Sequence, residues 1–186
     1  MMTTATVNNG VDLEQLGATI GLIKDDPQLA QFQFRTRSRW EGGARCVTEI
    51  TSFYGAGSEQ QHARTHVMVG DEPEVLLGAD SSPNAVESVL GALAGCLAVG
   101  YAYNAAARGI DIEELTFDLH GDLDLHAFLG LSDEQRPGFK NIRATYRVKS
   151  SATDDELAEL EAHVLRTSPV LDIVRNPVPV QINRSD

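Results

Sequence analysis

Residues 88–107 read SVLGALAGCLAVGYAYNAAA, a run of twenty residues without a charged side chain. Asn84 precedes the run as a candidate helix cap, and Gly109 follows it as a residue suited to the left-handed position that ends many helices. The length is sufficient to span a membrane. However, the run is rich in alanine and glycine and lacks flanking Lys/Arg clusters or aromatic belts. We therefore predict a buried helix of a soluble protein, covered by protein on every side.

The composition is that of an acidic globular protein. The chain has 186 residues, of which 15 are basic and 27 acidic, so its formal net charge is −12. The basic residues are scattered, which argues against nucleic acid as a partner. The two cysteines, Cys46 and Cys96, are too few for a disulfide framework. The N-terminus lacks the pattern of a secretory signal, so we expect a cytoplasmic protein without membrane association.

The pattern along the chain predicts an α+β fold. Residues 1–34 should form an N-terminal helix with an extension, and residues 35–186 a single domain. Thr153 and Glu156 form a capping box that predicts the start of a helix at Asp154. The other predicted elements are a helix from Val11 to Ile23, strands within Phe32–Phe53 broken at Gly42-Gly43, a loop over Tyr54–His62, and strands at Thr65–Val69, Ile110–Asp124, Ile142–Val148 and Val178–Ile182.

Cys96 is the first candidate for chemistry. On the pattern alone it is a core cysteine, which behaves as a small hydrophobic residue. Small residues surround it, however, so a ligand or a second backbone could approach closely. Glu87 lies nine residues earlier on the same helix, a separation of two and a half turns, so its carboxylate cannot touch the thiol directly. A link between them needs a third group, for which an arginine is the natural choice.

Several histidines and carboxylates form weaker patterns. His163, Ser168 and Asp172 could make a hydrolase triad, but no nucleophile elbow surrounds the serine. His62 and His66 are four residues apart in a predicted loop-to-strand region, where we expect that spacing not to place them on one face. His120 and His126 lie among aspartates that are typical of a solvated strand face. We therefore predict no metal site and no cofactor.

Several segments together resemble the OsmC/Ohr superfamily of osmotically inducible and organic hydroperoxide resistance proteins. The stretch GADSSPNAVESVLGALAGCLA at residues 78–98 is similar to the first-cysteine motif of that superfamily. The resemblance covers roughly residues 35–182. The supporting segments, in chain order, are WEGG at 40–43, GDEP at 70–73, GFKNI at 138–142 and SPVLDIVRNPVPV at 168–180.

The resemblance implies an intertwined homodimer in which antiparallel sheets enclose two long helices and the active sites lie at the subunit interface. It also implies reduction of small organic hydroperoxides by a reactive cysteine, with an external thiol as reductant. Carried over by motif, the cysteine is Cys96 and the helix glutamate is Glu87. Arg45 is the nearest candidate for the arginine, with Arg39 and Arg64 as weaker ones. A guanidinium beside sulfur favours the thiolate, which is the species that attacks a peroxide.

The chain departs from the peroxidase pattern at one position. Those members carry a Cys-Pro pair whose cysteine forms a disulfide with the first one, whereas this chain has Ser168-Pro169. A hydroxyl cannot resolve a sulfenic acid. Three alternatives follow: an external thiol resolves Cys96, Cys46 substitutes for the missing cysteine, or activity has been lost and Ser168 lines a cavity that binds a small apolar ligand. Cys46, on a predicted strand, is more typical of a structural residue.

Overall fold

The computed structural model describes residues 7–185. Two compact units make up this part of the chain. The N-terminal unit is Asp12–Val89, and the C-terminal unit combines Val7–Val11 with residues 90–185. The described part of the predicted N-terminal extension contains two short strands, β1 (Val7–Asn8) and β2 (Val11–Asp12). The prediction for residues 1–6 lies outside the described residues.

The predicted N-terminal helix is confirmed as α1 (Leu13–Asp25). The Asp12 carboxylate caps it by accepting a hydrogen bond from the backbone N–H of Gln15 at 3.0 Å. The chain then forms four antiparallel strands, in which the third is central. These are β3 (Gln33–Phe34), β4 (Arg37–Gly42), β5 (Arg45–Gly55) and β6 (Ser58–Gly70). Strand β5 pairs with β3, β4 and β6.

The prediction of a loop over Tyr54–His62 is wrong. Strands β5 and β6 continue through it and are joined by a tight turn at Ala56 and Gly57. Both turn residues have positive φ, 50° and 79°, as a type I′ hairpin turn requires. The stretch looked like a loop because it is polar and glycine-rich, but the turn takes only two residues, Gly57 and an alanine that adopts a positive φ at a cost.

A network around Asp71 organises the segment between β6 and the long helix. The Asp71 carboxylate is only 4% exposed. It accepts hydrogen bonds from the Ser81 hydroxyl at 2.6 Å and from the backbone N–H groups of Glu72, Ser81 and Ala79. These bonds, the Ser81 hydroxyl first, lower the pKa of Asp71 to about 2. Only glycine fits at Gly78, where a Cβ would lie 1.8 Å from the Glu72 carbonyl oxygen.

The long helix is confirmed as α2 (Ala85–Ala107). Asn84 caps it as predicted: its side-chain oxygen accepts the Glu87 N–H, and the Glu87 carboxylate accepts the Asn84 N–H, each at 2.9 Å. Gly109 follows the helix at φ 72°, in the left-handed region that its position requires. These paired signals explain why both ends were predictable.

The C-terminal unit packs α2 against a two-stranded antiparallel sheet and further helices. The strands are β7 (Ile112–Asp122) and β8 (Asn141–Ser150). The helices are α3 (Asp154–Thr167), which starts at the predicted Thr153–Glu156 capping box, and the short α4 (Pro169–Arg175). The mixed helix and strand content confirms the predicted α+β class.

The core of the C-terminal unit lies along one face of α2. Leu93, Leu97, Tyr101 and Ala105 recur every four residues on that face and are buried with the following residues of the unit: Ile110, Leu160, Val164 and Leu171. Full burial of a leucine side chain contributes about 1.5–3 kcal/mol, so this row is a main source of stability. The helix has mean hydropathy 1.6 and is long enough to span a membrane, and this row of side chains packs one face of it into the core. The predicted cover on every side is not met within the described chain, where Val99 is 57% and Tyr103 50% exposed.

The C-terminal end differs from the prediction. No strand forms at Val178–Ile182, and residues 176–185 adopt no helix or strand. Pro177 and Pro179 lack the N–H groups that a sheet ladder needs, and no described strand pairs with this segment. The helix α4 was missed, because Ser168-Pro169 reads as the stop of α3. The same pair also starts α4, with the serine as N-cap and the proline at the first helical position.

Candidate functional site

Cys96 and Ser168 lie together in the C-terminal unit. The Cys96 Sγ is 3.2 Å from the Ser168 Oγ. One turn away on each helix, a Cβ added at Gly100 would lie 3.0 Å from Val164 Cγ1, so α2 and α3 approach closely there. The small residue therefore allows α3 to bring Ser168 within hydrogen-bond distance of the thiol.

The hydrogen bonds of Ser168 leave its proton free for the sulfur. Ser168 is 6% exposed. Its Oγ accepts the backbone N–H of Leu171 at 3.3 Å, as the cap of α4. The hydroxyl proton can then point to Cys96 Sγ, and a thiolate accepts such a bond well. A serine hydroxyl can thus hold a thiolate in place but cannot form a disulfide with it.

Both residues open into a pocket of about 400 Å³. Its lining is mostly apolar or small, and no charged side chain belongs to it among residues 7–185: the lining residues are Gly95, Cys96, Val99, Gly100, Asn104, Val164, Thr167, Ser168 and Pro169. The volume lies in the range of small-molecule sites. Such a lining suits an organic molecule better than a small hydrophilic one.

Arg45 lies in the N-terminal unit, at the start of β5. Its Nε donates to the Glu41 carboxylate at 3.0 Å, and its Nη1 donates to the Ser81 Oγ at 3.3 Å. Ser81 is in turn held by the buried Asp71, a residue that sequence analysis did not single out. The hydrogen bond from Arg45 lowers the pKa of Glu41, with Arg39 adding to it. The Arg45 guanidinium is therefore fixed at one end of a polar chain that starts from Asp71.

The other two predicted site groups have clear local partners. The Glu87 carboxylate caps α2 through its hydrogen bond with the Asn84 N–H. Arg39, one of the weaker arginine candidates, pairs with Glu41 and Glu49, and Arg64 lies in β6. The roles of Arg45 and Glu87 towards Cys96 remain predictions.

Cys46 is a free thiol in β5. It faces Gly70 of β6, where an added Cβ would lie 3.0 Å from the Cys46 sulfur. The sulfur thus packs over a glycine in the neighbouring strand. This environment is consistent with the structural role that was predicted for Cys46.

The expectation for the histidine pair is wrong. The rings of His62 and His66 meet edge to face, with centroids 4.8 Å apart. The cause is an irregularity in β6, where residues 62–65 lie opposite the single residue Thr51 of β5. Within residues 7–185 no group of three or more His, Cys, Asp or Glu side chains is arranged to hold a metal ion.

The conceivable hydrolase triad is not assembled. His163 Nδ1 contacts Arg166, and the Asp172 carboxylate accepts a hydrogen bond from the Asn176 amide. Ser168 contacts Cys96. Each member is therefore engaged with a group outside the supposed triad.

Comparison with known proteins gives one family. The family model described as OsmC-like protein matches residues 78–183. A search among curated proteins returned no match. The matching segment contains the whole of α2 and both Cys96 and Ser168.

Solved structures of low sequence identity share the fold. An OsmC-like protein from Mycoplasma pneumoniae aligns with TM-score 0.60 and 13% identity, over 78% of this chain and 89% of that one. An OsmC-like protein of unknown function from Vibrio cholerae gives 0.55 and 13%, over 75% and 92%. An organic hydroperoxide resistance protein OsmC from Legionella pneumophila gives 0.50 and 16%, over 76% and 90%.

Proposed function

The chain belongs to the OsmC-like family, and on that premise we propose that it reduces organic hydroperoxides through Cys96, with an external thiol as the reductant. The observation that carries the proposal is the Cys96–Ser168 pair, 3.2 Å apart at the wall of an apolar pocket. The pocket suits the organic part of a hydroperoxide. The Ser168 hydroxyl supplies a hydrogen bond to the thiolate that must attack.

The reaction runs in three balanced steps. The Cys96 thiolate attacks the terminal peroxide oxygen, the O–O bond breaks, and the alkoxide leaves and takes up a proton to become an alcohol. The sulfur, now a sulfenic acid, reacts with an external thiol to give a mixed disulfide and water. A second thiol then releases Cys96 as the thiol and leaves the external disulfide. Ser168 takes no covalent part in this cycle.

Two further groups belong to the proposal. Arg45 favours the Cys96 thiolate and Glu87 orients the arginine, in a site completed by a second copy of the chain. Support for the homodimer comes from α2, where Val99 is 57% exposed and Tyr103 50% exposed on a face that the described chain leaves uncovered. A partner helix would bury those side chains beside the Cys96 pocket. The homodimer would act in the cytoplasm, in defence against oxidative stress.

A second candidate function follows from Ser168. A hydroxyl in place of a second cysteine prevents the internal disulfide, and the pocket beside it holds about 400 Å³. These features also suit a member of the family that binds a small apolar ligand at the dimer interface without redox turnover. The two candidates differ in the reactivity of Cys96, which is directly measurable.

The deciding experiment follows oxidation of the protein by cumene hydroperoxide and by hydrogen peroxide, using stopped-flow mixing and intact mass. The peroxidase proposal expects rapid gain of one oxygen atom at Cys96, reversed by an added dithiol, and about tenfold faster with the organic peroxide. Cys96→Ser should abolish the reaction, and Cys46→Ser should leave it unchanged. Oxidation no faster than that of a small free thiol would reject the peroxidase proposal and favour the ligand-binding alternative.

A further inference from the structure

A second cavity lies in the C-terminal unit on a different face of α2. Its volume is about 410 Å³, within the range of small-molecule sites. It shares no lining residue with the Cys96 pocket. The side chains of Leu93, Leu97 and Tyr101 form its α2 wall, and β8, α3 and the connection before β8 supply most of the rest.

The Tyr101 hydroxyl is the unusual group in this cavity. Tyr101 is 1% exposed, and its hydroxyl makes no hydrogen bond of good geometry among the described residues, although the Tyr146 hydroxyl is close enough to be a weak partner. Burial first, and then the neighbouring Tyr146, raise the pKa of Tyr101 well above its ordinary value, which already leaves the hydroxyl protonated at neutral pH. Buried polar groups in native proteins are almost always well hydrogen-bonded, so this weakly paired hydroxyl can still donate to a better acceptor. A bound molecule that carries an oxygen would supply it.

The charge of the cavity is positive in an acidic protein. Arg136, Lys140 and Arg175 line it, against one carboxylate, Glu161. Lys140 is paired with Asp124 at 2.7 Å, whereas Arg136 and Arg175 form no ion pair within residues 7–185. The formal charge of the chain is −12, so two unpaired guanidinium groups at one cavity are not expected from composition. They favour an anionic ligand.

The long connection between β7 and β8, residues 123–140, forms one side of the cavity. Phe139 and Lys140, at its end, line the cavity together with Arg136. The Phe139 ring packs on Gly121 of β7, where an added Cβ would lie 2.4 Å from the ring. Connections of this length in a compact unit often carry function. The glycine thus allows this part of the connection to pack directly on the sheet.

We propose that this cavity binds a small apolar carboxylate, such as an alkyl chain or ring that carries one carboxylate group. The carboxylate accepts hydrogen bonds from the guanidinium groups of Arg136 and Arg175. The apolar part lies against Leu93, Leu97 and the β8 side of the cavity, and the Tyr101 hydroxyl donates to a ligand oxygen. The site is independent of the chemistry proposed for Cys96.

The test is titration calorimetry of the full chain with sodium octanoate at low salt. We expect saturable binding with one site per chain. The double variant Arg136→Gln/Arg175→Gln should weaken binding at least about tenfold, because two charge-assisted hydrogen bonds are lost. Arg108→Gln/Arg147→Gln removes the same charge from arginines that are exposed, as Arg136 and Arg175 are, but lie outside the cavity, and should leave binding unchanged. Octan-1-ol, which lacks the charge, should bind at least about tenfold more weakly.

Tyr101→Phe separates a ligand contact from a structural role. It removes a hydroxyl that makes no hydrogen bond of good geometry, so the thermal stability of the free protein should change little, while octanoate binding weakens about three- to tenfold. Loss of stability without loss of binding would contradict the proposed role of Tyr101.

Three results would overturn the site as a whole. The first is absence of saturable octanoate binding, and the second is equal weakening by the two arginine pairs. The third is loss of octanoate binding in Cys96→Ser, because that result places the ligand in the Cys96 pocket. The proposal expects Cys96→Ser to bind normally and Arg136→Gln/Arg175→Gln to oxidise at the unaltered rate.

Discussion

Both faces of α2 carry apolar side chains, but they differ in what covers them. Leu93, Leu97 and Tyr101 are buried by the sheet and helices of the same unit, whereas Val99 and Tyr103 are half exposed or more. Hydropathy alone does not distinguish these faces. The difference teaches that an all-round apolar helix can pack into the core of its own unit on one side and leave a face open to a partner on the other. Cys96, partly buried, lies beside the uncovered face.

The substitution Ser168→Cys should have the largest effect, because it changes the chemistry of Cys96 beside the uncovered face. A sulfur in place of Oγ would start about 3.2 Å from Cys96 Sγ, and a small side-chain rotation would bring it to the S–S bond length of about 2.05 Å. We expect an internal disulfide to form after one equivalent of peroxide, seen as loss of two free thiols. Ser168→Ala is the matched control and should yield a sulfenic acid instead. Two free thiols remaining after peroxide would show that positions 96 and 168 cannot bridge.

Leu97→Ala tests the covered face. Leu97 is one residue from Cys96 but belongs to the buried row, so the truncation leaves a cavity in the core. We expect a loss of about 2–5 kcal/mol in the free energy of unfolding, measured by urea denaturation. The rate of Cys96 oxidation in the folded protein should change little. A loss no larger than that of a surface substitution would contradict the assignment of the two faces.

Val99→Asp tests what covers the other face. Under the homodimer proposal, a charge placed there weakens self-association at least about tenfold, because a buried unpaired carboxylate is costly. Sedimentation velocity over a range of concentrations measures this change. Asp118→Ala, on a strand surface, is a control that should leave association unchanged. A chain that is monomeric without the substitution would reject the homodimer and leave the exposed face unexplained.

The predictable parts of the molecule are those with local signals. Asn84 and Gly109 bound α2, and Thr153 with Glu156 starts α3, because caps depend on side chains within a few residues. The Cys96–Ser168 contact was suggested only by family resemblance. It depends on how closely two helices approach at Gly100, a tertiary property that no local pattern contains.

The features that sequence analysis missed depend on packing or on a motif that carries two structural signals. Ser168-Pro169 ends one helix and starts another, and only the first signal was read. His62 and His66 meet because β6 bulges at residues 62–65. The cavity at Tyr101 was invisible, because a tyrosine in an apolar helix is most often a core residue whose hydroxyl finds a partner. The second signal of Ser168-Pro169 is local, whereas the histidine contact and the cavity depend on longer-range arrangements.

Acid pH should destabilise the segment that leads into α2 and leave the covered face of the helix unchanged. Of the effects predicted for the two regions, this one should be the smallest. The covered face is held by apolar contacts that do not titrate, whereas residues 71–84 are organised by the Asp71 carboxylate. The pKa of Asp71 falls from 3.8 to about 2 on folding. Its contribution to stability is therefore complete above about pH 4 and is lost as the pH falls towards about 2.

Asp71→Asn should remove this part of the acid dependence, and hydrogen exchange at the Ser81 and Ala79 amides at pH 5 should become faster. Exchange at the Leu97 and Tyr101 amides should remain slow, and equal acceleration at both sets would show that Asp71 acts on the whole fold rather than on this segment.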